Sequence, residues 1–157
     1  MVADKLWGEG RASDEASSRQ KEHDVSHPPV AQSVTWIYTE DLDATCRFYG
    51  QTLGLEQVLE QPGADGGGCR IFRHSPSSFL GVCRVRPGRW VEPKGVVITF
   101  VTPDIEGWHR YLLARGVTPE GPPSYSAAFN VDSFFAADPN GYKLEFQNFR
   151  DPAWPRG

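Results

Sequence analysis

Two stretches of the chain share one pattern of apolar and polar positions. Val34-Thr-Trp-Ile-Tyr-Thr-Glu-Asp41-Leu-Asp and Val97-Ile-Thr-Phe-Val-Thr-Pro-Asp104-Ile-Glu each open as a strand-like run and end in Thr-x-Asp. The period then changes from two to that of a helix. Leu42, Thr45, Cys46 and Tyr49 fall at i, i+3, i+4 and i+7, and Ile105, Trp108 and Leu112 repeat the stripe. Asp41 and Asp104 stand where an N-cap carboxylate satisfies the free amides of a first turn. Gly54 and Gly116 follow at nearly equal distances and predict where each helix stops.

Strands and turns follow each helix. In the first half, Leu55–Glu60, Cys69–Arg73 and Phe79–Val85 are separated by Pro-Gly-Ala-Asp-Gly-Gly-Gly and His-Ser-Pro-Ser-Ser. In the second, a short strand is expected near Val117, then a loop over Gly121–Asn130, then strands Asp132–Ala136 and Tyr142–Phe149. Asp138-Pro-Asn-Gly141 between the last two is a hairpin signal, because Pro fixes φ and Asn-Gly accepts positive φ. Each half therefore reads βαβββ, and the halves join through a linker around Pro87–Lys94. One such unit leaves a sheet face bare. Two side by side form an α+β fold, an incomplete barrel with helices outside and a cleft inside. The expected domain spans 32–152, with modules 32–88 and 95–152 and a C-terminal extension 153–157 whose Trp154 packs on the body.

Composition changes this picture at the margins. The chain has 157 residues, 39% of them hydrophobic, which is enough for one domain with length to spare. The surplus is residues 1–31, with six acidic and four basic side chains and only Leu6 and Trp7 as large apolar groups. Such a segment buries too little surface to offset its ordering entropy, so a flexible polar tail is expected. His23 and His27 are spaced for a metal only on a helix, and Pro28 and Pro29 argue against one. A net charge of −4 without a basic block argues against nucleic acid, and no apolar run is long enough to span a bilayer. Three cysteines, Cys46, Cys69 and Cys83, cannot all pair, and no signal peptide is apparent. Small buried thiols in a reducing cytoplasm are the expectation.

Asp41-Leu-Asp-Ala-Thr-Cys-Arg-Phe-Tyr49, Leu53-Gly-Leu55 and Asp138-Pro-Asn-Gly-Tyr-Lys-Leu-Glu145, in that order and in two copies, resemble the vicinal oxygen chelate superfamily. That group includes glyoxalase I, bleomycin-resistance proteins and extradiol dioxygenases. The resemblance covers Ser33 to Pro152 and implies paired βαβββ modules, a cleft for a small organic molecule, and a homodimer. It also implies a divalent metal held by up to four side chains. The repeat places those four positions at Val34, Gly81, Val97 and Glu145. Valine offers no lone pair and glycine no side chain, so a metal would have Glu145 alone. No cofactor is expected, and a cation only through that carboxylate.

Strand alternation assigns the remaining cleft residues. With those four positions inward, Trp36, Tyr38, Phe79, Cys83, Thr99, Val101, Lys143 and Gln147 share their side. Thr35, Ile37, Leu80, Val82, Ile98, Phe100, Leu144 and Phe146 face the helices and are almost wholly apolar. The expected ligand contacts are Trp36, Tyr38, Phe79, Cys83, Val97, Thr99, Glu145 and Gln147. The aromatics would stack on a planar ligand. Glu145 would hydrogen-bond it, or act as a general base in an enzyme such as a lyase, isomerase or dioxygenase-like protein. Otherwise it is a structural group paired with Lys143 near the rim or with a basic loop residue. Metal-free binding of a hydrophobic or aromatic molecule is the leading reading, and that enzyme is its alternative. Cys83 could serve as a nucleophile, and reads first as an inert thiol. His74 sits in a turn within possible reach of the cleft mouth, and the Gly63–Gly68 and Pro122–Asn130 segments are candidate lids.

Overall fold

The computed structural model describes residues 28–63 and 67–155. The expectations for the tail, including Leu6, Trp7, His23 and His27, and the middle of the glycine-rich turn lie outside the described residues. From Gln32 onward the chain forms one compact unit. Its elements are β1 (Ser33–Thr39), α1 (Leu42–Arg47), β2 (Glu56–Gln61), β3 (Cys69–Ser75), β4 (Ser78–Arg84), β5 (Val97–Val101), α2 (Ile105–Ala114), β6 (Ser124–Ser126), β7 (Val131–Ala137) and β8 (Lys143–Phe149). The strands make two four-stranded sheets, ordered β1-β4-β3-β2 and β5-β8-β7-β6. In each, the first strand runs parallel to the fourth and the remaining pairs are antiparallel. The repeat read from the apolar pattern is thus the repeat of the fold, and the paired sheets stay open rather than closing. No helix among the described residues is long and apolar enough to cross a membrane.

Both helices begin as their caps dictate. Asp41 Oδ1 accepts the Ala44 amide at 2.9 Å, and Asp104 Oδ1 accepts that of Gly107 at 2.8 Å. α1 passes into a wider π-turn over Phe48–Thr52 before Gly54, whose φ of +74° reverses the chain. The stripe Leu42, Thr45, Cys46, Tyr49 is buried, as are Ile105 and Leu112. One strand differs from expectation. No strand forms near Val117. The short strand is β6, inside the segment expected to be a loop, because Ser124–Ser126 finds β7 as a partner while Val117 packs on the core.

A buried polar interlock joins the second module's hairpin to the first module's helix. Asp138 accepts the amides of Asn140 at 2.8 Å and Tyr142 at 2.9 Å, which shapes the turn, and Gly141 alone in it takes positive φ. The same carboxylate receives the Tyr49 hydroxyl at 3.0 Å and Asn140 Nδ2 at 3.1 Å. Thr39 Oγ1 donates to Asn140 Oδ1 at 2.7 Å, and Asn140 Nδ2 also reaches Thr45 Oγ1 at 3.0 Å. Burial pushes the Tyr49 phenol far above its ordinary value, and the Asp138 charge adds to this.

The face assignment holds. Ile37, Leu80, Val82, Ile98, Leu144 and Phe146 are buried in one cluster with the helix stripes, and Phe146 stacks between Phe100 and Phe134. Thr35 is the exception and is exposed. Trp154 stacks on Phe149 with ring centroids 3.5 Å apart, as expected of the C-terminal segment. The cysteine expectation is overturned. Cys69 and Cys83 form a disulfide, and only Cys46 is a free, buried thiol among the described residues. The two are directly opposed on β3 and β4 and share a face, so adjacent-strand geometry brings their sulfurs together. Cys83 is therefore neither an inert thiol nor a nucleophile.

Candidate functional site

The open face of the two sheets presents two equivalent cells, one per module. On the first sheet Trp36 lies opposite Gly81 across the β1–β4 pair, and on the second Thr99 lies opposite Glu145 across β5–β8. The contents of the cells differ in kind. In the first, the Trp36 indole lies against Gly81 so closely that a Cβ at position 81 would collide with ring carbons Cε3 and Cζ3. Only glycine fits beneath it. In the second, Thr99 Oγ1 donates to Glu145 Oε2 at 2.9 Å.

Glu145 is half-buried and sits between Thr99 on β5 and Phe135 on β7. The pairing with Lys143 does not form. Lys143 Nζ goes instead to Glu120 at 3.2 Å and lies 5.2 Å from the Phe135 ring centroid. Glu145 Oε1 has no hydrogen-bond donor among the described residues, so one carboxylate oxygen remains available to a ligand. Gln147 lies one step along the same face, opposite Val101 and Ser133.

The other expected contacts spread over this face. Val34, Trp36 and Val97 are exposed, Tyr38 and Thr99 half-buried, and Phe79 and Cys83 buried. Phe79 lies under the Arg73 guanidinium, 5.3 Å from its ring centroid, and Cys83 is held in the disulfide. His74 sits at the seam between the sheets with its ring 5.2 Å from Phe100. It borders a cavity of about 190 Å³ shared with Thr35, Val97 and Thr99. Burial lowers its pKa, and its Nε2 is buried without a hydrogen-bond partner.

The donor set does not fit a divalent cation. Of the four positions the repeat equates, Val34, Gly81 and Val97 carry no donor atom, and the Trp36 ring fills the space above Gly81. No group of three or more His, Cys, Asp or Glu side chains among the described residues is placed to hold a metal. One carboxylate falls short of the three or more protein ligands usual for such ions.

Two residues near the face escaped the sequence reading. Trp90 belongs to the linker and has no periodic neighbours to mark it, yet it turns back to line a recess of about 390 Å³ with Trp36 and Tyr38. Tyr142 directly precedes β8 and is buried, yet it lines the same recess.

The family model described as Glyoxalase/Bleomycin resistance protein/Dioxygenase superfamily matches residues 30–146. No curated protein is similar enough to count as a relative. Among solved structures, a glyoxalase/bleomycin resistance protein/dioxygenase from Nocardioides superposes with a TM-score of 0.66 at 22% identity, covering 92% of this chain and 98% of that one. A lactoylglutathione lyase from Agrobacterium tumefaciens gives 0.61 at 21% identity, covering 78% and 96%. A glyoxalase family protein from Enterococcus faecalis gives 0.58 at 20% identity, covering 76% and 96%. At these identities the likeness is one of fold.

Proposed function

The chain belongs to the glyoxalase/bleomycin resistance/dioxygenase superfamily, and from that premise we propose that it binds a small, largely apolar or aromatic organic molecule on its open face without a metal. The observation that carries this reading is the asymmetry of the two cells. One is sealed by an indole on a glycine, and the other keeps a single carboxylate with one oxygen free. An apolar face with a few placed polar groups is how small-molecule sites are built. Trp36 supplies a flat contact surface, and Thr99 fixes the carboxylate so that its free oxygen meets a donor on the ligand.

A second reading treats the protein as an enzyme, a lyase or isomerase in which Glu145 takes a proton. It is favoured by the same free oxygen, since a base must reach its proton directly. Two tests separate the readings. Metal analysis of protein purified without chelator is expected to show no stoichiometric Zn, Ni, Mn or Fe; stoichiometric metal that disappears in Glu145→Gln overturns the metal-free reading. Mass spectrometry of molecules released from native protein is expected to recover one compound that Glu145→Gln retains poorly. Turnover of that compound, abolished in Glu145→Gln, favours the enzyme.

Assembly as a homodimer belongs to the proposal, since the open face leaves Val34, Val97 and Val101 exposed. Light scattering coupled to gel filtration tests it, and a monomer at every concentration removes it. A cytoplasmic setting also belongs to it, without the free-thiol argument that first supported it. Fractionation of cells that express the protein tests it, and recovery outside the cytoplasm removes it.

A further inference from the structure

Where the edge of β1 meets the 87–96 linker, the chain forms a recess of about 390 Å³ lined by Trp36, Tyr38, Trp90 and Tyr142, with Arg89 and Glu92 alongside. That size suits a small organic ligand. Trp36 and Trp90 both line it, and they are 43% and 62% exposed. Large aromatic surface is left in water on two elements at once, and a flat molecule entering the recess would cover both rings.

The linker is held in place by one phenol. Tyr142 Oη accepts the Tyr38 amide at 3.4 Å and the Glu92 amide at 3.3 Å, so it ties β1 to the segment that carries Trp90. Accepting two amides leaves the phenol's own proton. Among the described residues no acceptor is hydrogen-bonded to it. Tyr142 lines the recess, so a ligand that supplies an acceptor there makes a hydrogen bond to that proton. Arg89 and Glu92 bring opposite charges alongside, so the recess carries no net charge to select a strong anion or cation.

We propose that this recess is the binding site for a planar, uncharged aromatic molecule carrying a hydrogen-bond acceptor. Its ring lies against Trp36 and Trp90, and its acceptor takes the Tyr142 proton. This deepens the reading above and rests on it, by naming the ligand class and by adding two residues, Trp90 and Tyr142, that the cleft pattern does not include. Trp36 is the shared element, with Gly81 beneath it keeping the indole flat on the sheet.

The test uses two probes of the same shape, quinoline, which has a ring-nitrogen acceptor, and naphthalene, which has none. Binding is followed by NMR at the tryptophan indole N–H resonances of the full chain. Both probes are expected to shift Trp36 and Trp90. Trp90→Ala, a surface change, weakens both by about fivefold or more. Tyr142→Phe keeps the ring but releases the linker that carries Trp90, so both probes weaken, and quinoline falls about five- to tenfold further than naphthalene. The inference is overturned if the probes shift other tryptophans, if Trp90→Ala has no effect, or if Tyr142→Phe weakens the two probes alike. Probe binding that ignores Trp90 and Tyr142 but falls in Glu145→Gln refutes this site and leaves the cleft reading standing. Failure of both probes and of any co-purified molecule to bind refutes both.

Discussion

Replacing Asp138 with alanine tests the interlock that sets the two modules against each other. The carboxylate is 5% exposed and serves four donors: the Tyr49 hydroxyl, the amides of Asn140 and Tyr142, and Asn140 Nδ2. Asn140 is only half-buried, so water can replace the carboxylate for its two donors. Tyr49 and Tyr142 are 0% and 3% exposed and have no such recourse. Each buried donor left unsatisfied costs about 1–3 kcal/mol, so the two together predict a loss of about 2–6 kcal/mol. Urea unfolding followed by circular dichroism measures it. With a slope of about 1–3 kcal/mol per molar, the midpoint should fall by about 0.7 M or more. Tyr49→Phe alone removes one donor and leaves the carboxylate three, so it should cost about 1 kcal/mol. The double variant should lose less than the sum of the singles, since the phenol is no longer there to be stranded. A loss below about 1 kcal/mol for Asp138→Ala, or strict additivity with Tyr49→Phe, would refute the reasoning that stranded donors dominate.

The remaining predictions draw on other parts of the fold. Because the folded state raises the Tyr49 pKa, the unfolded chain releases this proton first, near pH 10, and stability should fall as pH rises above that point. The fall is up to about 1.4 kcal/mol per pH unit, and unfolding at pH 9 and pH 11 should show it in the native protein and lose it in Tyr49→Phe. His74 has the opposite dependence. Its folded pKa is lowered by burial, so stability should drop as pH falls below the ordinary histidine value, and His74→Phe should flatten that acid limb in the same measurement. Thiol titration of denatured, unreduced protein should find Cys46 alone, and Cys69→Ser/Cys83→Ser should lower stability by about 2–4 kcal/mol through the lost 14-residue closure. Gly81→Ala should cost about 1–3 kcal/mol in the native background and much less in Trp36→Ala, because the three atoms nearest to the added Cβ all belong to the indole.

How much was legible follows the range of each interaction. The two modules, their helix starts at Asp41 and Asp104, their stops at Gly54 and Gly116, and the division of strands into a core face and an open face were all written in local order. Capping needs three residues, a helix stripe eight, and strand alternation two. The same logic placed Glu145 on the open face next to Lys143 and Gln147. The β3–β4 disulfide was also legible, though missed. Cys69 and Cys83 are equidistant from Pro76, and a hairpin folded about that residue must oppose them. Counting cysteines hid what register would have shown.

Tertiary structure decided what depends on residues far apart in sequence. No local rule brings Asp138 to Tyr49, 89 residues away, or lets one phenol at position 142 tie Tyr38 to Glu92. The strand near Val117 failed for the same reason: edge strands form where a partner offers amides, and β7 offered them to Ser124–Ser126. Trp90 looked like linker because a recess is a property of how surfaces meet. Sequence thus determined the repeat and that Val34, Gly81 and Val97 bring no side-chain donor to it. Packing determined that an indole fills one of those cells, that Thr99 rather than Lys143 holds Glu145, and that the linker walls a recess beside β1.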